Sequence, residues 1–300
     1  MLLDVRNLRV AFRRDGREIV PVRDVSFSVP EHGRVALVGE SGCGKSLTAL
    51  SLRRLSPTDR ATVTGTIQAP PRIAYVFQNP SDSLNPVMRI RDQIREALPR
   101  GTDRAAQDAQ IVQLLARTGL PDPQRAARAY PCELSGGQQQ RCMIAMALAA
   151  SPDLLVADEP TTALDVTTQK QVLELIDALA AETGMAVLLI THNLGLVAGR
   201  MDFVNVMYAG QIVEAGPVTD VLAAPRHPYT RGLLAAVPAL DAPRDAPLAD
   251  ISGTVPPSDR WPSGCAFAPR CSQMMERCAR EQPPTTVADG RRWACFLKEP

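Results

Sequence analysis

The segment GESGCGKS, residues 39–46, combines glycines, a lysine and a serine at a spacing suited to binding phosphate groups. It matches the pattern G-x-x-x-x-G-K-S/T, in which glycines let the backbone N–H groups wrap closely around phosphate oxygens. Lys45 would reach the β- and γ-phosphates of a nucleotide, and the Ser46 hydroxyl would bind Mg²⁺. The alternative is a glycine-rich turn with a solvated lysine. The context favours the phosphate site, because the segment follows the apolar run 34–38 and opens a helical stretch.

Two acidic residues elsewhere in the chain could complete this chemistry. Asp158 and Glu159 follow the apolar run LLVA at 154–157. A carboxylate just after a buried strand can hold Mg²⁺ through its water shell, which suits Asp158. Glu159 would then orient and deprotonate the attacking water. Alone, such a pair is more typical of the charged first turn of a helix. The phosphate segment makes the hydrolytic interpretation the stronger one.

Four short apolar runs each end at residues that could take part in this chemistry. The runs and the residues that follow them are 34–38 before Gly39, 73–77 before Gln78, 154–157 before Asp158 and Glu159, and 186–190 before Thr191 and His192. Continuous apolar runs of this length fit strands buried on both faces, as in a parallel sheet covered by helices. Ligands bind just beyond the carboxyl ends of such strands. The sequence therefore predicts an α/β fold with one site built from four distant segments.

The segments around these strands predict the rest of the architecture. Residues 167–184 carry apolar residues at helical spacing and end at Gly184, which indicates a helix with a glycine C-cap. The stretch 80–150 lacks a strand pattern and predicts a helical subdomain inserted between the second and third core strands. The first 30 residues alternate between apolar and polar types, which predicts an antiparallel edge.

Composition excludes some classes of function. The chain has 300 residues, 45% of them hydrophobic and 22% charged, with a net charge of +1. This balance gives no support to nucleic-acid binding. Charges at Asp4, Arg6 and Arg9 interrupt any secretory signal, and no apolar run reaches the length of about 18 residues that a membrane span needs. We therefore expect a cytosolic chain, in which thiols stay reduced.

The segment LSGGQQQR at 134–141, beside the two motifs above, resembles the signature of ATP-binding cassette (ABC) ATPases. The resemblance implies a P-loop ATPase domain with a RecA-like core, an antiparallel β subdomain and a helical subdomain. It also implies a head-to-tail dimer, in which each ATP lies between the phosphate segment of one subunit and the signature of the other. ATP and Mg²⁺ are the implied ligands.

The same resemblance assigns roles to single residues. Gln78 is similar to the Q-loop glutamine, and His192 is similar to the switch histidine. Asp165 in TTALD falls at the D-loop, and Phe12 falls where the family has an aromatic ring that stacks on adenine. The residues implied to contact ATP are Phe12, Gly39, Glu40, Ser41, Gly42, Cys43, Gly44, Lys45, Ser46, Leu47, Ser135, Gly136, Gly137, Gln138 and Asp165. The implied catalytic residues are Lys45, Gln78, Glu159 and His192, and the implied Mg²⁺ ligands are Ser46, Gln78 and Asp158.

A narrower group is indicated by three further segments. The sequences QNPSDSLNP at 78–86 and RHPYTRGLLAAVP at 226–238, with the cysteine-rich tail, resemble the ATPase subunits of dipeptide, oligopeptide and nickel importers. The resemblance implies ATP-driven import of peptides, or alternatively of nickel or a metal chelate. The implied partners are two transmembrane permease subunits, a second ABC ATPase subunit and an extracytoplasmic substrate-binding protein, with no nucleic acid. The implied location is peripheral, at the cytoplasmic face of the inner membrane.

Two other classes of function stay open at this point. One is a soluble ABC ATPase that acts on DNA or ribosomes, although the chain shows neither extended heptads nor a second phosphate segment. The other is a cassette that binds nucleotide without turnover. Four residues that hydrolysis would need are present and argue against it: Lys45, Asp158, Glu159 and His192.

Proline usage predicts the domain boundary. Half of the 26 prolines lie from Pro217 onward, so we expect a boundary near residue 235 and sparse regular structure after it. The expected arrangement is an ABC ATPase domain over 1–235, with its helical subdomain at about 80–150, and a Pro/Cys-rich C-terminal extension over 236–300.

The extension holds four of the seven cysteines, Cys265, Cys271, Cys278 and Cys295. Their spacing is wider than that of most structural zinc sites, and four thiolates could instead hold an iron–sulfur cluster. Similar tails in the peptide-importer group are associated with a [4Fe–4S] cluster, so this cluster, zinc and no metal are the three alternatives. The arginines expected to offset the thiolate charge are Arg270, Arg277, Arg291 and Arg292. Two other cysteines, Cys132 and Cys142, are interpreted as small buried residues.

Overall fold

The computed structural model describes residues 1–55, 61–99, 101, 103–162, 164–237 and 250–297. The chain divides into two compact units. The first unit comprises residues 1–69 and 189–300, and the second unit comprises residues 70–188.

The described residues form eleven strands and ten α-helices. The strands are β1 (Leu3–Arg14), β2 (Arg17–Val29), β3 (Arg34–Val38), β4 (Thr62–Gln68), β5 (Ile73–Val76), β6 (Leu154–Asp158), β7 (Ala186–Thr191), β8 (Phe203–Tyr208), β9 (Gln211–Pro217), β10 (Thr285–Ala288) and β11 (Arg291–Ala294). The helices are α1 (Lys45–Ser51), α2 (Pro80–Ser83), α3 (Ile90–Ala97), α4 (Arg104–Arg117), α5 (Pro123–Arg128), α6 (Gly136–Ala149), α7 (Val166–Thr183), α8 (Val218–Ala223), α9 (Pro228–Ala235) and α10 (Glu276–Arg280). Short 3₁₀ turns span Pro131–Glu133, Leu194–Leu196 and Ala268–Arg270.

The first unit contains a mixed sheet in the order β4-β1-β2-β9-β8-β3. Strand β1 pairs antiparallel with β2 and with β4, which confirms the antiparallel edge predicted for the first 30 residues. Strand β8 pairs antiparallel with β9 and parallel with β3. Residues 35–38 of β3 are all buried, as expected for a strand covered on both faces. The segment that begins at Gly39 therefore lies just beyond the carboxyl end of a buried strand.

The second unit is built on the parallel strands β5 and β6, and all five residues of β6 are buried. Helices α2 to α6 lie between these strands in sequence, which confirms the helical stretch predicted for residues 80–150. Helix α7 buries Val172, Ile176 and Leu179 against the core. It ends at Gly184 with a φ of 71°, the left-handed conformation of a glycine C-cap. The four predicted core strands are all present as β3, β5, β6 and β7.

The C-terminal segment has more regular structure than its proline content predicts. Strands β10 and β11 form a hairpin, and β11 pairs antiparallel with β9 through Arg292 opposite Ala215 and Trp293 opposite Glu214. The hairpin turn is Asp289–Gly290, with φ values of 52° and 70°. This dipeptide between two short strands is a strong hairpin signal.

Cys132 and Cys142 differ in burial. Cys142 is buried in α6, and burial raises the pKa of its thiol to about 12. Cys132 is exposed, so the prediction that it is buried is wrong. It lies on the Pro131–Glu133 turn, where Glu133 caps the backbone N–H of Tyr130 at the surface.

Among the described residues, no helix is both long enough and apolar enough to span a bilayer.

Candidate active site

The phosphate segment forms the loop between β3 and α1, and its first glycine is required by close packing. A Cβ on Gly39 would lie 2.1 Å from the carbonyl oxygen of Met207, a distance that no side chain tolerates. The Gly39 N–H donates to the Thr191 carbonyl at 3.3 Å. This bond fixes the loop against the end of β7, next to His192. Gly44 has a φ of 100°, so it turns the chain into α1 in a conformation that favours glycine.

Lys45 points into the curve of this loop. Its side chain is largely buried, with 5% of the residue exposed, and its Nζ donates to the Gly39 carbonyl at 2.7 Å and the Glu40 carbonyl at 3.0 Å. The ammonium group is thus placed where the loop would enclose a phosphate. Ser46, the next residue, is exposed on the first turn of α1 and is available to bind Mg²⁺.

Cys43 occupies the interior of the loop. It is fully buried, and burial raises the pKa of its thiol. Its carbonyl accepts from the Gly210 N–H at 3.0 Å. Its side chain therefore packs as a small apolar group, and its backbone holds the loop to the β8–β9 turn.

Glu40 is held by residues far along the chain. Its backbone N–H donates to the Tyr229 hydroxyl at 2.8 Å. Its carboxylate accepts two bonds from the Arg270 guanidinium, from Nη1 at 2.6 Å and Nη2 at 3.0 Å. Sequence reasoning did not find either residue as part of this site. Tyr229 lies in the importer-like segment 226–238, but nothing in its spacing connects it to the loop.

His192 and Phe12 also belong to the first unit. His192 is exposed just after β7, where Asn193 turns the chain by donating its N–H to the Thr191 hydroxyl. Phe12 is half-buried within β1, opposite Ile19 of β2. The structure places Phe12 inside the strand near the β1–β2 turn. Its proposed contact with adenine stays a prediction.

In the second unit, Gln78 and Glu159 meet. Gln78 follows β5, and its Nε2 donates to Glu159 Oε2 at 3.1 Å. The Thr162 hydroxyl donates to the same oxygen at 3.0 Å. Glu159 has a φ of 46°, an uncommon value for a residue other than glycine and one often found at functional sites. Asp158, immediately before it, is buried at the end of β6. Two donors thus orient the carboxylate of the predicted base.

The signature residues form the start of α6. The Ser135 hydroxyl accepts from the Gln138 N–H, and the Gln138 side chain accepts from the Ser135 N–H, which is a capping box. Gly137 packs closely, because a Cβ there would lie 2.9 Å from Cγ2 of Thr168. Ser135 and Gly136 are exposed in this chain.

Asp165 caps helix α7. Its carboxylate accepts from the N–H groups of Thr167 and Thr168 and from the Thr168 hydroxyl, the last at 2.6 Å. These bonds, chiefly that from the Thr168 hydroxyl, lower the pKa of Asp165. The second unit therefore carries Gln78, the acidic pair, the signature and Asp165 on the ends of its own elements.

The four tail cysteines of the first unit line a single pocket, with Phe267 and Met275 among the other lining residues. Burial raises the thiol pKa of Cys265, Cys271 and Cys295. Among the described residues, no group of three or more His, Cys, Asp or Glu side chains is arranged to hold a single metal ion. Four thiols around one pocket do fit the donor chemistry of a larger iron–sulfur cluster.

The arginines expected to offset thiolate charge have other partners. Arg270 pairs with Glu40, Arg291 with the buried Glu214, and Arg277 with Glu281. Arg292 donates to the backbone carbonyl of Ser26. The prediction that these four arginines offset the charge of the thiolates stays a prediction. Burial raises the thiol pKa of Cys271 and Cys295, and the charge of Arg231 on α9, which sequence reasoning missed, opposes this rise.

Comparison with known proteins decides the family. The model of the ABC transporter family matches residues 22–162, and the model described as oligopeptide/dipeptide transporter, C-terminal region, matches residues 213–278. A protein of Brucella ovis named as a peptide import ATP-binding protein is 49% identical over 313 aligned positions, covering 94% of this chain and 93% of the relative. The chain belongs to the ABC transporter family of ATP-binding proteins. It is accordingly an ABC-type ATPase, whose ligands are ATP and Mg²⁺.

Other family members agree with this assignment. A Brucella abortus protein of the same description is 45% identical, covering 98% of this chain and 94% of the relative. Among solved structures, the dimeric ATP-binding cassette MJ0796, in a post-hydrolysis state with ADP and Pi, is 25% identical, with a TM-score of 0.62 over 72% of this chain and 98% of that one. The ABC ATPase fold and family predicted from the signature are confirmed.

Proposed function

We propose that this ABC ATPase powers the import of dipeptides and oligopeptides through a membrane permease. The observation that carries the proposal is the near full-length similarity to proteins named as peptide import ATP-binding proteins. The match to the C-terminal region of oligopeptide and dipeptide transporters supports the same substrate class. A nickel or metal-chelate importer and a soluble ATPase acting on DNA or ribosomes are not favoured by these relatives.

In this proposal, residues of the phosphate loop bind the nucleotide. Lys45 leaves its bonds to the loop carbonyls and contacts the β- and γ-phosphates, and the loop N–H groups contact the phosphate oxygens. Ser46, Gln78 and Asp158 hold Mg²⁺. When bound, this ion offsets phosphate charge during the displacement. Phe12 stacks on the adenine ring. The remaining ATP contacts are those assigned to the loop and signature above.

Hydrolysis depends on further groups of this chain and of a second chain. Glu159, oriented by Gln78 and Thr162, accepts a proton from the attacking water. His192 contacts the γ-phosphate. A second copy, or a second ABC ATPase chain, supplies its signature and Asp165 in a head-to-tail dimer. The exposure of Ser135 and Gly136 supports this role, because a partner can reach them.

The proposed assembly contains two permease subunits, two ATPase subunits and an extracytoplasmic substrate-binding protein. The ATPase is then a peripheral subunit at the cytoplasmic face of the inner membrane. Residues 1–235 form the ATPase domain, with the helical subdomain at about 80–150, and residues 236–300 form the C-terminal extension. Uptake of labelled peptides and of nickel by the reconstituted assembly tests the proposal. We expect ATP-dependent accumulation of peptide and not of nickel.

We further propose that the four tail cysteines hold an iron–sulfur cluster, with a zinc ion as the alternative. The support is their shared pocket, which brings four sulfur donors together, the number that such a cluster requires. Protein purified without oxygen should absorb broadly near roughly 400 nm and contain about four irons per chain. Zinc or no metal in such a sample would contradict the cluster and leave the ATPase unaffected.

A further inference from the structure

The strongest unassigned contact joins the C-terminal tail to the phosphate loop. Arg270 ends the 3₁₀ turn between Cys265 and Cys271, and its guanidinium binds the Glu40 carboxylate in a bidentate pair, at 2.6 and 3.0 Å. The Arg270 side chain is 5% exposed and that of Glu40 is 27% exposed. Planar two-point pairing of this kind fixes orientation as well as distance.

The guanidinium has no freedom to serve another partner. Its Nε donates to the Ser252 carbonyl at 2.9 Å, and its Nη2 also donates to the Ile251 carbonyl at 2.8 Å. Its Nη1 lies 3.4 Å from the Tyr208 hydroxyl. Hydrogen bonding to Glu40 raises the pKa of Arg270 further. Each of the three guanidinium nitrogens is hydrogen-bonded, which makes this a fully connected network.

Glu40 in turn sets the position of the phosphate-binding lysine. Its N–H is held by the Tyr229 hydroxyl, its carboxylate is held by Arg270, and its carbonyl accepts from Lys45 Nζ at 3.0 Å. Phe267, three residues before Arg270, packs its ring on Tyr208 and Tyr229 at centroid distances of 5.2 and 5.4 Å. The tail therefore restrains Glu40 in two ways. Arg270 holds its carboxylate, and Phe267 packs on Tyr229, which holds its N–H.

Charge supports the same conclusion. Glu40 is the acidic residue of the segment GESGCGKS, whose task is to bind a polyanion. An unpaired carboxylate at this place would repel the triphosphate, and the repulsion is strong where solvent is excluded. A guanidinium paired with the carboxylate removes the net charge without competing for the phosphates.

We propose that Arg270 is a positioning residue of the ATP site, which holds Glu40 from the C-terminal tail and neutralises its charge next to the phosphates. The inference rests on the proposed ATP site in the loop 39–46. It makes the tail a structural part of the nucleotide site.

The test is MgATP binding by calorimetry, with steady-state hydrolysis, on the full chain. In Arg270→Gln, both Kd and KM for MgATP should rise by about tenfold, the size of effect typical for loss of a charge-assisted bond. The kcat should change much less, because Arg270 acts on binding.

Arg270→Lys should have an affinity for MgATP between those of wild type and Arg270→Gln, since a lysine keeps the charge and loses the two-point geometry. The double variant Glu40→Gln/Arg270→Gln should bind MgATP more tightly than Arg270→Gln, because the unpaired carboxylate is gone.

Two controls separate this inference from the site on which it rests. Arg280→Gln removes an exposed arginine of the same tail, paired with Glu276, and should leave MgATP binding unchanged. Lys45→Ala should abolish binding. Retained binding in Lys45→Ala would overturn the ATP site and this inference together. If Lys45→Ala abolishes MgATP binding but Arg270→Gln binds MgATP with an affinity within about twofold of wild type, this inference alone is overturned. If Arg270→Gln fails to fold, wild-type affinity in Arg270→Lys contradicts the proposal.

Discussion

Glu159 shows how a single residue is prepared for its role. It follows a fully buried strand, adopts a φ of 46°, and has its carboxylate fixed by Gln78 and Thr162. Backbone strain of this type persists only where the surrounding structure enforces it. The carboxylate is thus oriented in advance, which is what a general base requires.

Replacing this base should separate binding from hydrolysis. In Glu159→Gln the amide oxygen can still accept from Thr162 but cannot take a proton from water. We expect phosphate release to fall by about 10²-fold or more, with ATP binding retained. The matched control is Glu174→Gln, because Glu174 is exposed on α7 and pairs with Lys170. This variant should release phosphate at the wild-type rate. Undiminished phosphate release in Glu159→Gln would rule out the assignment of this residue as the base.

The residues that sequence reasoning found are those of contiguous motifs. The loop 39–46, the acidic pair and the signature each carry their spacing within a few positions, so their chemistry is visible without a structure. The pair between Glu40 and Arg270 is different, because 230 residues separate its members. No local rule connects an arginine in a cysteine-rich tail to a loop near the N-terminus. Only the packing of Phe267 and the turn that holds Arg270 brings them together.

At the scale of elements, helix α9 begins at an unusual cap. His227 is buried, and its Nδ1 accepts from the Tyr229 N–H at 3.0 Å, so the ring is neutral with its proton on Nε2. Burial, and secondarily the charge of Arg231, lowers the pKa of His227 to about 3. The His227 N–H donates to the buried Glu214, which also binds Arg291. Protonation of the ring would remove the cap acceptor that starts α9.

This cap predicts a dependence of stability on pH. The folded pKa of His227 lies below its ordinary value of 6.5, so the unfolded chain takes up a proton first as the pH falls. The free energy of unfolding should be level above about pH 6.5 and should drop below it, by about 1.4 kcal/mol per pH unit at most. His227→Asn keeps a cap acceptor and cannot titrate.

Urea unfolding at about pH 7 and pH 5 measures the effect. Both tryptophans, Trp261 and Trp293, lie in the first unit, so their fluorescence reports on the unit that contains His227. Between about pH 7 and pH 5, the free energy of unfolding of wild type should fall by about 1–2 kcal/mol more than that of His227→Asn. Equal losses in the two proteins would show that His227 is not the group responsible.

Elements with a sustained local pattern were predictable, and elements without one were not. The buried strands are continuous apolar runs, and the helix ending at Gly184 has apolar residues at helical spacing, so tertiary packing only reinforces the local signal. Strands β10 and β11, with the sequences TTVA and RRWA, contain no continuous apolar run. Their position on β9 depends on the buried pair of Arg291 with Glu214, which no sequence pattern reveals.

At the scale of the whole molecule, the family assignment accounts for most of the chain. The fold and the ATPase activity follow from the signature, and the importer group follows from the segments 78–86 and 226–238 with the cysteine-rich tail. Relatives over 94–98% of the chain confirm these predictions. The cysteine site could be predicted only as a set of alternatives, because spacing does not fix where four thiols meet. The two family matches, 22–162 and 213–278, contain Glu40 and Arg270 respectively. The contact between these residues therefore joins the region matched by the ABC transporter model to the region matched by the C-terminal model of oligopeptide and dipeptide transporters.

The central claim is that ATP hydrolysis by this chain drives peptide import. The most direct measurement is ATP-dependent uptake of a labelled peptide into vesicles that contain the permease subunits and the substrate-binding protein, with either wild-type ATPase or Glu159→Gln. We predict uptake with wild type and ATP, and none with Glu159→Gln or without ATP. Equal uptake with both proteins, or hydrolysis by wild type that moves no peptide, would contradict the account.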